Sequence, residues 1–91
     1  MLVPKTSRQF EKDVKKARRQ NKNFEKFKMI AEILINEGAM DRKHLGHPLK
    51  GNWKECRECH IENDWLLIYR IVKETNEIWF ERLGSHSELF H

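Results

Sequence analysis

Ninety-one residues make one small domain, because chains divide into domains at about 100 to 200 residues each, and a core of this size leaves little room for an enclosed cofactor pocket. Hydrophobic residues are 38% and charged residues 35% of the chain, at a formal net charge of +4. No apolar run approaches the ~18 residues of a membrane span and no leader-like start is visible, so a soluble, cytoplasmic protein with no membrane partner is expected. The charge is uneven: residues 1–28 hold ten Lys or Arg against Glu11, Asp13 and Glu25, a local net of +7 that leaves −3 for the remainder. Such asymmetry commonly marks an element facing an anionic partner, although a solvated helix face produces it too.

After an extended start at Leu2 to Pro4, Thr6 and Ser7 offer N-cap hydroxyls, and Gln9 stands three residues beyond Thr6 in a capping-box arrangement. A helix from Ser7 to Gln20 is expected, with Phe10, Val14 and Ala17 as a narrow apolar stripe on a cationic surface. Phe24, Phe27, Ile30, Ala31 and Leu34 renew the helical spacing until Gly38, a good left-handed C-cap. A helical hairpin over about 7–38 follows. Residues 39–54, with Gly46, Pro48 and Gly51, read as a structured loop. The period then changes to two. Cys56 to Ile61, Trp65 to Val72 and Ile78 to Leu83 predict three strands in an antiparallel meander over about 55–83, and Leu66 to Tyr69, apolar on both faces, suits its central strand.

In such a meander the end of the first strand, the start of the second and the end of the third share one edge. His60, Asp64, Trp65 and Arg82 through His86 occupy those places, and His47 and Lys50 lie in a loop able to reach the same edge. The set suits metal-independent RNA cleavage: a base takes the 2′-hydroxyl proton, a cation steadies the pentacoordinate phosphate and an acid protonates the leaving 5′-oxygen. Asp64 or His60 is the candidate base, Arg82 the cation and His86 the acid, while Trp65 and Phe90 offer flat surfaces for an unstacked base. Taken singly, each has a plainer explanation, Trp65 as core and Arg82 as an ordinary ion-pair partner; their convergence raises the functional reading.

Cys56-Arg57-Glu58-Cys59-His60 matches a haem-attachment string. In a strand, however, Cys56 and Cys59 point to opposite faces, and zinc would need ligands the spacing does not supply. No metal and no cofactor are expected; Cys59 is assigned to the core and Cys56 to a half-exposed position.

His47-Pro48-Leu49-Lys50-Gly51-Asn52-Trp53-Lys54, Arg57, Cys59 through Tyr69, Glu81 through His86 and the terminal Leu89-Phe90 together closely resemble the YafQ branch of the RelE/ParE toxin superfamily. The likeness spans nearly all of residues 1–91 and is specific in the second half. It implies an α+β fold of order β-α-α-β-β-β. It also implies a type II toxin that enters the ribosomal A site and cuts mRNA, held in check by a cognate antitoxin with an acidic tail, encoded upstream. Matched one by one, His86 would be the acid and Asp64 the base. His60 and His47 would position or stabilise the phosphate, Arg82 would bind it, and Trp65 and Phe90 would shape the site. Lys50 is a further substrate-binding candidate, and the extra His91 is a departure from the family's end. The alternatives are a ParE-like toxin that inhibits DNA gyrase by binding, against which the His-rich edge counts, and a plain basic RNA-binding domain.

Overall fold

The computed structural model describes residues 1–49, 51–53 and 55–90, with the backbone alone for Leu45, His47 and Asn52. Lys50 and His91 therefore lie outside the described residues, as does the His47 side chain.

Strand β1 (Val3–Thr6) leads into α1 (Arg8–Arg19) and α2 (Phe24–Ile35), followed by β2 (Leu45–Pro48), β3 (Arg57–Glu62), β4 (Trp65–Val72), β5 (Glu77–Gly84) and α3 (His86–Leu89). The strands form one sheet in the order β1-β5-β4-β3-β2. The meander is antiparallel, and β1 adds to β5 in parallel, Val3 opposite Glu77 and Thr6 opposite Phe80. This is the α+β arrangement expected, enlarged by β2 inside the long loop and by the single-turn α3.

Local chemistry accounts for the ends. Ser7, not Thr6, is the N-cap of α1: its Oγ accepts the Phe10 N–H at 3.0 Å, while Thr6 Oγ1 donates to Glu11. The expected Thr6–Gln9 capping box does not form, because Thr6 belongs to β1 and Gln9 Nε2 donates to Asp13 instead. Helix α2 ends before Gly38. Asn36 is its C-cap, Glu37 takes the left-handed conformation (φ 56°), and the Gly38 N–H returns to the Ile33 carbonyl at 2.9 Å. The glycine thus sits one place beyond the left-handed residue in a Schellman closure.

Alternation sends Cys59, Leu67, Tyr69, Ile78, Phe80 and Leu83 to the helix side, where Phe10, Ala17, Ile30 and Ala31 meet them. Phe10, Phe27 and Phe80 lie within 6.0 Å of one another, centroid to centroid. Each large side chain buried here contributes about 1.5–3 kcal/mol. Leu66 and Ile68 point the other way and pack with Cys56, Trp53, Leu49 and Leu89. Cys56 is therefore buried rather than half-exposed, because Leu49, Trp53 and Leu89 cover that face. The separation of the two thiols by strand parity is as expected, and both are free.

Two bulges interrupt the meander. Ile61 is an extra residue between the His60–Leu66 and Glu62–Trp65 pairs, and Glu81 between Arg82–Ile68 and Phe80–Tyr69. At the other edge β2 runs against β3 with Leu45 opposite Cys59, and Gly46 permits the approach: a Cβ there would fall 2.2 Å from the Glu58 carbonyl oxygen. Gly46→Ala is expected to lower unfolding stability by about 1–3 kcal/mol in a denaturant titration. An unchanged midpoint would mean that β2 does not pair this closely.

Candidate active site

At the edge shared by the ends of β3 and β5, the Asp64 turn and α3 bring together side chains far apart in sequence. Asp64 Oδ1 accepts two bonds from His86, one from the backbone N–H at 2.9 Å and one from ring Nδ1 at 2.8 Å. A carboxylate only accepts, so Nδ1 carries the hydrogen and Nε2 is the atom free to exchange a proton. The His60 ring lies 5.9 Å from that of His86, centroid to centroid. Phe90 lies 6.3 Å from His86 on another side and packs edge-on against Trp53 at 6.1 Å.

The two N–H donors of His86 hold the Asp64 carboxyl below its usual range, its backbone N–H contributing most, with a smaller effect of Lys22. Asp64 is thus a charged partner beside an exposed imidazole. His60 has a carboxylate of its own: its Nε2 faces Glu58 Oε1 at 3.4 Å, and the Glu58 side chain is only 6% exposed. The carbonyl of His60 receives the Nδ1–H of buried His44 at 2.6 Å, which ties the end of β3 to the loop before β2.

Helix α3 presents His86 and is held at its start. Ser85 Oγ accepts the Glu88 N–H at 3.2 Å and Glu88 Oε1 accepts the Ser85 N–H at 2.8 Å, a full capping box. Lys16 of α1 pairs with the same Glu88. The Lys16 bond and the Ser85 N–H together lower the Glu88 carboxyl from an ordinary 4.5 to about 2. A depressed carboxyl stabilises the fold fully above its unfolded value, and that contribution is lost as pH falls through the folded one. Melting temperature is accordingly expected to drop as pH falls from about 4.5 toward 2. In Glu88→Gln the drop over this interval should be shallower, and equal slopes in the two proteins would remove Glu88 from the acid response.

The expected residues divide. His60, Asp64, His86 and Phe90 converge as the topology requires. Arg82 lies two residues before the end of β5 and bonds to Asp13 of α1 rather than to the imidazoles, through Nε to Oδ2 at 2.8 Å and Nη2 to Oδ1 at 3.4 Å. Trp65 does not serve as a base platform. It is 1% exposed, with Phe24 edge-on at 5.6 Å and the Lys22 ammonium 5.9 Å from its ring centre, so neither face is open. The aromatic surface at the site is Phe90, 39% exposed, backed by Trp53. His47 stands in β2, its side chain outside the described residues, and Lys50 lies outside them altogether. Sequence reasoning missed Glu58, which strand parity places on the face of His60 two residues on, and Asp13, whose only signal was an acid within a basic helix. Among the described residues no three His, Cys, Asp or Glu side chains are grouped to hold a metal ion, and no helix is long and apolar enough to cross a membrane.

The chain is similar to known bacterial toxins in both sequence and fold. The model of the YafQ family, described as bacterial toxins of type II toxin-antitoxin systems, matches residues 2–91. The mRNA interferase toxin YafQ of Escherichia coli K12 is 40% identical over 85 residues, 92% of this chain and 90% of that protein. A metal-bound toxin from Helicobacter pylori superposes with a TM-score of 0.93 at 41% identity, covering 99% of this chain and all of the other. YafQ in the E. coli DinJ-YafQ complex gives 0.90 at 37% identity, with both chains covered in full. The chain belongs to the YafQ family of bacterial type II toxins.

Proposed function

We propose that this protein is the toxin of a type II pair and cleaves mRNA on the ribosome, with the described side chains supplying acid, base and cation. The observation that carries this reading is the pair of imidazoles 5.9 Å apart, each backed by a carboxylate. Two proton-transfer groups at one exposed edge are of no use to a pure binder such as a gyrase inhibitor.

His60 removes the 2′-hydroxyl proton and the 2′-oxygen attacks the adjoining phosphorus. Arg82 neutralises the pentacoordinate phosphate. His86 delivers its Nε2 proton to the departing 5′-oxygen, leaving a 2′,3′-cyclic phosphate and a 5′-hydroxyl. Asp64, the base implied by the family likeness, supports the acid on this reading. One of its oxygens is occupied by two N–H donors and its carboxyl is held low, which makes it a weak proton acceptor but a good partner for an imidazolium. Phe90 offers its open ring to an unstacked base.

Among the described residues the site is a surface edge with no enclosing wall, and the ribosome supplies one. The cationic face of α1 seats against ribosomal RNA, a contact that weakens as salt rises. The existence of a DinJ-YafQ complex in E. coli supports an antitoxin partner here, one whose acidic segment covers the same basic surface; a ribosomal target places the protein in the cytoplasm. The test is to add purified protein to programmed ribosomes and map the 5′ ends of the message. Cleavage at codons in the A site is expected, and intact message at stoichiometric protein would overturn the reading.

A further inference from the structure

Asp13 is an acid on the most basic helix of the chain, one position before the core residue Val14, and only 8% of it is exposed. A carboxylate at such depth needs partners for its lone pairs, and every one is engaged. Oδ1 accepts from Gln9 Nε2 at 3.2 Å and Arg82 Nη2 at 3.4 Å; Oδ2 accepts from Arg82 Nε at 2.8 Å and the Leu83 N–H at 2.9 Å. Asp13 therefore grips the guanidinium from its Nε side. Arginine carries five N–H donors in a planar fork. The side-on grip uses one on Nε and one on Nη2, and leaves the fork between Nη1 and Nη2 to meet an anion end-on.

The backbone under Arg82 is held as firmly. Arg82 follows the Glu81 bulge, a device that re-aims the next side chain. The first turn of α1 pins that bulge: Ser7 Oγ donates to the Glu81 carbonyl at 2.9 Å and the Ser7 N–H to the Phe80 carbonyl at 3.2 Å. The other side of Arg82 lines an open groove shared with Trp53 and Arg70, and Trp53 is the residue that packs on Phe90. Buried ion pairs gain little stability for their desolvation, so cohesion alone is a poor account of this one.

We propose that Asp13 is a positioning residue: it fixes the Arg82 guanidinium so that its free N–H fork meets the scissile phosphate. The proposal rests on the reading of Arg82 as the phosphate-binding cation. The experiment is single-turnover cleavage on programmed ribosomes with wild type, Asp13→Asn, Arg82→Ala and the double variant, with melting temperatures beside the rates. Asp13→Asn is expected to slow the cleavage step about 100-fold at unchanged half-saturating ribosome concentration, and to add nothing in the Arg82→Ala background. A wild-type rate for Asp13→Asn, or a full further loss in the double variant, overturns the positioning role while Arg82 stands. A wild-type rate for Arg82→Ala overturns the role of Arg82 and with it this proposal. Should Asp13→Asn not fold, Arg82→Lys decides, because one ammonium cannot hold Asp13 and a phosphate together. It should be as slow as Arg82→Ala, and a wild-type rate for Arg82→Lys overturns the proposal.

Discussion

His86→Ala is expected to slow mRNA cleavage by about 10²- to 10⁴-fold while leaving the fold intact. The side chain is 52% exposed, so its removal opens no cavity, and the alanine keeps the backbone N–H that Asp64 accepts. What disappears is the proton donor for the 5′-oxygen, and an alkoxide leaves poorly without one. Single-turnover rates measured on ribosome-bound message, beside thermal melts, separate chemistry from folding. A variant that melts like wild type and cleaves at its rate would remove His86 from the mechanism.

His60→Ala should cost a similar factor, about 10²- to 10⁴-fold, and here the shape of the pH–rate profile carries more than the rate. With an imidazole as base, the acid limb of the chemical step survives the loss of the carboxylate. Asp64→Asn then lowers the plateau without moving that limb. With Asp64 as base the limb would sit below the ordinary carboxylate range, because the His86 donors hold that group low, and Asp64→Asn would erase it. Neighbouring groups titrate together, so the limb belongs to the site and the variants make the assignment.

Much of this was legible in advance because it depends on period and order. The stripe on α1, the spacing on α2 and the switch to a period of two located the elements, and the antiparallel connection alone brought His60, Asp64 and His86 to one edge. What was not legible turns on single-residue events. Ser7 replaces Thr6 as the cap because β1 runs two residues further than its sequence suggests. The bulges at Ile61 and Glu81 each rest on one extra residue, which the strand patterns do not locate. Asp13 looked like one more solvated charge, since its burial depends on the docking of β5 some seventy residues later. Trp65 suits core and platform alike by sequence, and the packing of Phe24 and Lys22 over it makes it core.

The Glu81 bulge also governs which changes the chain can survive. Because Glu81 is the extra residue, its loss would leave Phe80 opposite Tyr69, Arg82 opposite Ile68 and the later side chains of β5 on the faces they now occupy. What would go is the kink that aims Arg82, together with the Glu81 groups that meet Ser7 and Arg70. A one-residue deletion at Glu81 is therefore compatible with the strand, whereas the same deletion in β4, every residue of which from Leu66 to Val72 has a partner, would turn side chains over to the wrong face.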